Sequence, residues 1–200
     1  TWLNQVVIIG DVITDNSVSG GESASDQIPI QQIDNFTHTP VNSMLADIWQ
    51  AAYEGINRAN YLHQYKLKNI AGDTVKFAGK DALYGEVYFL RSFYYFSLVR
   101  MFGDVPLFVD RRLGVEDTRT LTRSPKANVY KQIEIDLLAA IAVLPVVQTE
   151  KGRATKYAAQ ALLGKVYLYQ NKYTEAAAML ENVIGKYSLV NNFNSIFLLA

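Results

Sequence analysis

The chain has 200 residues, of which 50% are hydrophobic and 12% aromatic. That excludes a disordered chain, which is poor in aromatics and carries unbalanced charge. Nineteen Lys and Arg offset nineteen Asp and Glu, so the basic surplus that engages a nucleic-acid backbone is missing and no nucleic-acid partner is expected. There is no cysteine, which excludes disulfides, cysteine nucleophiles and thiolate metal sites within these residues.

Residues 1–40 read as an irregular N-terminal segment. The chain opens on Thr1-Trp2-Leu3 with no basic stretch and no signal-type apolar run, so it is expected to be processed or excerpted, with any targeting signal outside it. Gly20-Gly21, Ser17, Ser19, Ser23, Ser25, Asp11, Asp15, Pro29 and Pro40 are turn and loop formers. The apolar run 5–9 is too short to assign to helix or strand.

From Val41 onward the periodicity is helical. Leu45, Ile48, Trp49, Ala52, Tyr53, Ile56 and Ala59 recur at three- and four-residue spacing, which predicts a helix over 41–68. A second helix, over 80–102, carries apolar and aromatic residues on nearly every side and is expected to be buried all round. Its apolar stretch 89–102 is interrupted by Arg91, Ser92, Ser97 and Arg100, so it does not reach the roughly 18 residues of a membrane span. Gly103 and Pro106 end it.

After a charged loop, Ser124 as cap and Pro125 at the first helical position are expected to open a third helix. Val129, Tyr130, Ile133, Leu137, Ile141 and Leu144 form its apolar face, and Pro145 stops it. Residues 154–170 and 173–185 are predicted as a fourth and a fifth helix joined by the tight link 170–172. Leu163-Gly164, Tyr167, Ala176 and Leu180 fall at the offsets of a tetratricopeptide repeat, where small residues let two helices approach closely. The predicted fold class is all-α: a tetratricopeptide-like helical repeat array over 41–200 with an irregular flank over 1–40.

Four blocks in chain order carry a family resemblance. The first is Trp49, Tyr53, Ile56 and Asn60. The second runs from Gly85-Glu86 through Phe89-Leu90-Arg91, Phe93-Tyr94-Tyr95-Phe96 and Arg100 to Phe102-Gly103-Asp104-Val105-Pro106. The third is Ser124-Pro125 with Val129-Tyr130, Asp136-Leu137 and Leu144-Pro145. The fourth is Gly152-Arg153-Ala154-Thr155 leading to Leu163-Gly164, Tyr167, Tyr173 and Ala176. Together they resemble the SusD/RagB family of outer-membrane nutrient-binding lipoproteins. The resemblance implies a non-catalytic protein that holds an oligo- or polysaccharide, or a similar nutrient, and delivers it to a SusC-like TonB-dependent transporter. It also implies attachment to the outer membrane by a lipid anchor outside this chain, which has no lipidated cysteine and stops shortly after the repeat pair, so part of the ligand site is expected elsewhere.

Ligand contact is expected on the polar segment 20–40, which leads into the Trp49 helix. Asp26, Gln27, Gln31, Asn35, Phe36 and His38 are the candidate ligand residues, with Gln32 beside them. Amides and carboxylates suit sugar hydroxyls and an exposed ring suits a pyranose face, whereas a solvated connecting loop is the simpler explanation of any one of them. Glu86 and Arg91 are five apart and do not share a helix face, so each is expected to pair with another element, with Arg153 and Asp136 as partners. The aromatic run 89–102, Trp49 and Tyr53 are expected in the core.

No catalytic residue, metal or cofactor is expected. His38 and His63 lack zinc or triad spacing, and His63 is expected on the surface. Asp11 and Asp15 are a carboxylate pair of the sort any acid-bearing helical protein offers. Gly79-Lys80-Asp81 lacks the upstream glycine and the hydroxyl of a phosphate loop. Two other classes compete with nutrient binding: a tetratricopeptide-type interaction scaffold, which needs several regular repeats, and a helical carbohydrate-active enzyme, which needs two opposed carboxylates.

Overall fold

The computed structural model describes residues 2–23 and 25–197; Thr1, Ala24 and residues 198–200 lie outside the described residues. The described residues form seven α-helices and two short 3-10 turns, with no strand among them. Extended backbone meets in two isolated antiparallel bridges, Lys68 with Thr74 and Val105 with Ser124. The chain divides into two compact units, residues 1–58 and 59–200. The division falls inside a helix rather than at the predicted 40/41 boundary.

The first unit is not the irregular flank the composition suggests. It holds α1 (Trp2–Val12), α2 (Ile28–Asp34) and the first part of α3 (Ser43–Gln64). The ambiguous run 5–9 lies within α1, which packs on α2. Pro29 sits in the first turn of α2, where its fixed φ suits the helix and its missing N–H costs nothing. Ile33 faces inward from that helix and is buried. Asn42, also buried, starts α3: its Oδ1 accepts from Met44 N at 3.1 Å and Leu45 N at 3.3 Å, the bonds of an N-cap. Its Nδ2 donates to Pro29 O at 2.9 Å and Gln32 Oε1 at 3.0 Å, so one amide both caps α3 and ties it to α2.

The second unit contains the end of α3 and then α4 (Lys80–Phe102), α5 (Lys126–Val143), α6 (Lys156–Leu168) and α7 (Tyr173–Glu181). α4 packs on α5, α5 on α6 and α6 on α7, around a core that includes Tyr95, Phe96, Leu98, Ile133, Leu137, Leu163 and Val166. Two glycines set the closest approaches. A Cβ on Gly85 would lie 2.8 Å from Val143 Cγ2 and 2.9 Å from Leu144 Cγ, and one on Gly164 would lie 2.7 Å from Leu180 Cδ2. The link between α6 and α7 closes as a Schellman-type turn: Lys172 N donates to Tyr167 O and Asn171 N to Leu168 O, with Asn171 left-handed at φ 60°.

Two local expectations change. Ser124 does not cap α5. Its N–H donates to Val105 O at 3.0 Å, Pro125 takes the cap position with no side-chain bond, and Asp104 Oδ1 accepts from Lys126 N at 2.8 Å. The cap therefore comes from the far end of the preceding loop. α4 is also not buried all round: Leu90 is 48% exposed and Arg100 is exposed.

Candidate ligand-binding site

The six candidate residues flank a short helix. α2 is seven residues long, about 10 Å, with Asp26 and Gln27 before it, Gln31 within it and Asn35, Phe36 and His38 after it. The entry turn is built from its own polar groups. Asp26 Oδ2 accepts from Glu22 N at 3.1 Å, and Asp26 O accepts from Gln31 Nε2 at 2.6 Å. Gln27 is left-handed, with φ 53° and ψ 38°, and makes no side-chain cap. Asp34 Oδ2 accepts from Ser19 N at 2.7 Å, fastening the long preceding loop to the helix.

The exit turn is a second Schellman motif. Thr37 N donates to Gln32 O at 2.8 Å and Phe36 N to Ile33 O at 3.1 Å. The position that normally belongs to glycine is held by Phe36, at φ 54°. A bulky residue there costs roughly 1–2 kcal/mol, and Phe36 recovers little of it by packing, since it is 68% exposed. Asn35 and His38 are exposed beside it, with Asn35 Nδ2 donating to Gln31 O at 2.8 Å. The candidates thus sort into two groups. Asp26 and Gln31 hold the loop together, while Asn35, Phe36 and His38 form an exposed run on one turn, with Gln27 exposed at the opposite end of α2.

The charged residues inside the helical unit are committed to structure. Arg91, 2% exposed, donates through Nε and Nη2 to Asp136 Oδ2 and Oδ1, both at 2.7 Å, and through Nη1 to Asn60 Oδ1 and Val109 O, both at 2.8 Å. Glu86 accepts from Arg153 Nε at 3.0 Å and Nη2 at 2.8 Å. Both partners are the ones expected from the sequence. Trp49 and Tyr53 are half-buried rather than core, with ring centroids 4.9 Å apart and tilted by 50°. His63 is not a plain surface residue. It is half-buried, its Nδ1 lies 3.2 Å from Tyr88 Oη, and burial followed by the charge of Arg91 holds its pKa below the ordinary value. Sequence spacing carries no sign of that pairing, because the two residues are 25 apart on different helices.

Asp11 and Asp15 are both exposed, and among the described residues no three His, Cys, Asp or Glu side chains gather as a metal site. None of the described helices is long and apolar enough to cross a membrane.

These features define a class: a tetratricopeptide-like helical protein whose buried charges are consumed by its scaffold and whose free polar and aromatic groups stand on loops. Residues 8–168 match the family model for SusD-like proteins described as "Starch-binding associating with outer membrane", and the chain belongs to this SusD-like family. It is 31% identical over 156 residues to SusD-like protein P2 of Formosa agariphila, covering 78% of this chain and 30% of that one. A solved structure titled "Laminarin binding SusD-like protein" superposes with a TM-score of 0.80 at 33% identity, over 98% of this chain and 47% of that one. Surface glycan-binding protein A from Bacteroides uniformis gives 0.77 at 26% identity, over 92% and 41%. The chain therefore spans about a third of that curated relative and under half of these solved neighbours.

Proposed function

We propose that this chain belongs to a non-catalytic outer-membrane protein that holds an oligo- or polysaccharide through the exposed turn 35–38 and delivers it to a SusC-like TonB-dependent transporter, with a lipid anchor supplied from outside this chain. The observation that carries this reading is Phe36. A large ring held left-handed and left in solvent is strained without a packing return, and such strain concentrates where a ligand is met. Asn35 and His38 beside it add an amide and an imidazole suited to sugar hydroxyls. The family description, and the glycans named for two structural neighbours, support the ligand class.

Laminarin, named for the 33% identical neighbour, is the first probe. Titration calorimetry on the protein and its Phe36→Gly variant separates ligand contact from folding. Glycine releases the left-handed strain, so melting temperature is expected to rise. Loss of one stacking contact is expected to weaken binding by roughly three- to tenfold. Equal binding by both proteins removes the turn from the site. Failure of laminarin and of a panel of other polysaccharides to bind favours a peptide or another nutrient.

A further inference from the structure

The buried charges of the helical unit are spent on one another, but one exposed cation is not. Of the arginines on helices, Arg58 pairs with Glu54 and Arg91 with Asp136, whereas Arg100, near the end of α4, has no acidic partner among the described residues. Arg100 is nonetheless held in place. Its guanidinium carbon lies 4.5 Å from the centroid of the Phe96 ring and 5.5 Å from that of Tyr169, and its Nε donates to Phe96 O at 3.2 Å. Stacking on two rings restrains the planar group, so less freedom is lost when it meets a ligand. Its two Nη groups have no acceptor among the described residues. Two phenols gather around the same ring. Phe96, 2% exposed, is the floor, with Tyr169 edge-on at 5.2 Å and Tyr130 edge-on at 6.4 Å. Neither hydroxyl has a partner among the described residues, and that of the half-buried Tyr130 is open to solvent. Burial pushes the Tyr130 phenol up and Arg100 pulls it down, with no carboxylate among the charges that act on it.

Three elements thus bring a restrained, unpaired guanidinium and two unspent phenols to one buried ring. A guanidinium with both Nη groups unspent matches a carboxylate at two points. Phenol hydroxyls both donate and accept, so they suit hydroxyls carried beside that carboxylate. A neutral sugar leaves the guanidinium unmet, and an acidic protein side chain offers the phenols only methylenes. We propose that Arg100, Tyr130 and Tyr169 form a second saccharide site that takes an acidic sugar unit, a uronate, with its carboxylate on the Arg100 Nη groups and its ring hydroxyls on the two phenols. The site shares no residue with the turn 35–38 and stands whether or not that turn binds glycan.

D-glucuronate, D-glucose and propionate are the probes, titrated by calorimetry against the protein and its Arg100→Lys and Tyr130→Phe variants. Propionate carries the carboxylate and methylene of an acidic side chain without the hydroxyls. D-glucuronate is expected to bind at millimolar concentration, D-glucose about tenfold more weakly and propionate about fivefold more weakly. Arg100→Lys keeps the charge and loses the planar fork, so it is expected to weaken D-glucuronate about tenfold. Tyr130→Phe removes only a hydroxyl that the fold does not use. Its melting temperature should stay the same while D-glucuronate weakens about fivefold. Absence of D-glucuronate binding overturns the proposal. So does equal affinity for D-glucose, or unchanged D-glucuronate binding by Arg100→Lys or by Tyr130→Phe. Equal affinity for propionate overturns it as well, in favour of an acidic side chain of a protein partner. Phe36→Gly leaves D-glucuronate binding unchanged, so the failure of either site is read separately.

Discussion

Arg91 keeps its charge in a helical core because its guanidinium donates to three acceptors at once, Asp136, Asn60 and Val109. Removing one partner of a buried pair strands the other. Asp136→Ala is therefore expected to lower unfolding free energy by about 3–5 kcal/mol, measured by urea denaturation. The paired replacement Arg91→Leu with Asp136→Leu is not expected to restore stability in full, since it leaves Asn60 Oδ1 and Val109 O without their donor. Full recovery would mean that those two bonds are dispensable. His63 gives a second test at this scale. Lys66 Nζ donates to Tyr88 Oη at 3.0 Å, and His63 Nδ1 lies 3.2 Å from the same hydroxyl, so an ammonium stands beside the imidazole and disfavours its protonation. Burial and Arg91 lower the His63 pKa, and Lys66 adds to them against Asp136 and Asp110. The unfolded chain then binds a proton near pH 6.5 that the folded chain refuses. His63's contribution is complete above about pH 6.5 and is lost as pH falls below it toward the depressed folded value. His63→Gln is expected to flatten that part of the stability profile, and an unchanged slope in urea midpoints between pH 7 and pH 5 would exclude it.

At the scale of elements, the two glycines at helix crossings differ in what surrounds them. Leu180, opposite Gly164, is half-exposed, whereas Leu144, opposite Gly85, is buried. Gly164→Ala sets a helix-propensity gain of about 1 kcal/mol against a side chain that has room to turn away, so its melting temperature should barely move. Gly85→Ala meets the buried Leu144, which cannot give, as well as the exposed Val143, and Gly164→Leu overfills even the looser crossing; each is expected to destabilise by roughly 1–3 kcal/mol. If the two alanine variants melt alike, the crossings are equally tight. The helices that sequence made legible are α3 to α6, which carry a sustained apolar period, and the 9-residue α7, marked by its repeat spacing, whereas the 11-residue α1 was not. The second was placed at 80–102, where α4 lies, and the others within a few residues of α3, α5, α6 and α7, because sustained periodicity marks burial regardless of partners. What was not legible depends on contacts. α2 is too short for periodicity, and its one local cue, Pro29 in a first turn, reads equally as a loop. The cap of α5 is Asp104, 22 residues upstream of the N–H it receives, beyond any local capping rule.

For the whole molecule, the family was legible in four ordered blocks because those blocks are the packing of the helical unit: Arg91 with Asp136, Glu86 with Arg153, Gly164 against Leu180. Candidate ligand positions were not, since an exposed polar residue looks the same in sequence whether it binds a ligand or the loop's own backbone. The structure separates the half-buried Asp26 and Gln31, bonded within the loop, from the exposed Asn35, Phe36 and His38, of which Asn35 also donates to Gln31 O. The same distribution of acids bears on whether the protein does chemistry. Glycoside cleavage needs two carboxyl groups facing each other across a bond, one of them kept protonated. Here Glu86, Asp136 and Glu134 are bonded to Arg153, Arg91 and Lys172. Asp117 is held by Arg111 and by Gly114 N–H with its pKa well below the carboxylate range; these partners favour the charged form, the opposite of what a general acid requires. Laminarin incubated with the protein is therefore expected to keep its chain length and release no reducing ends at any pH between 5 and 8. Release that disappears on replacing a single Asp or Glu would sink the non-catalytic reading while leaving family membership and the exposed turn as they stand. Release that survives every such replacement would point to a contaminant.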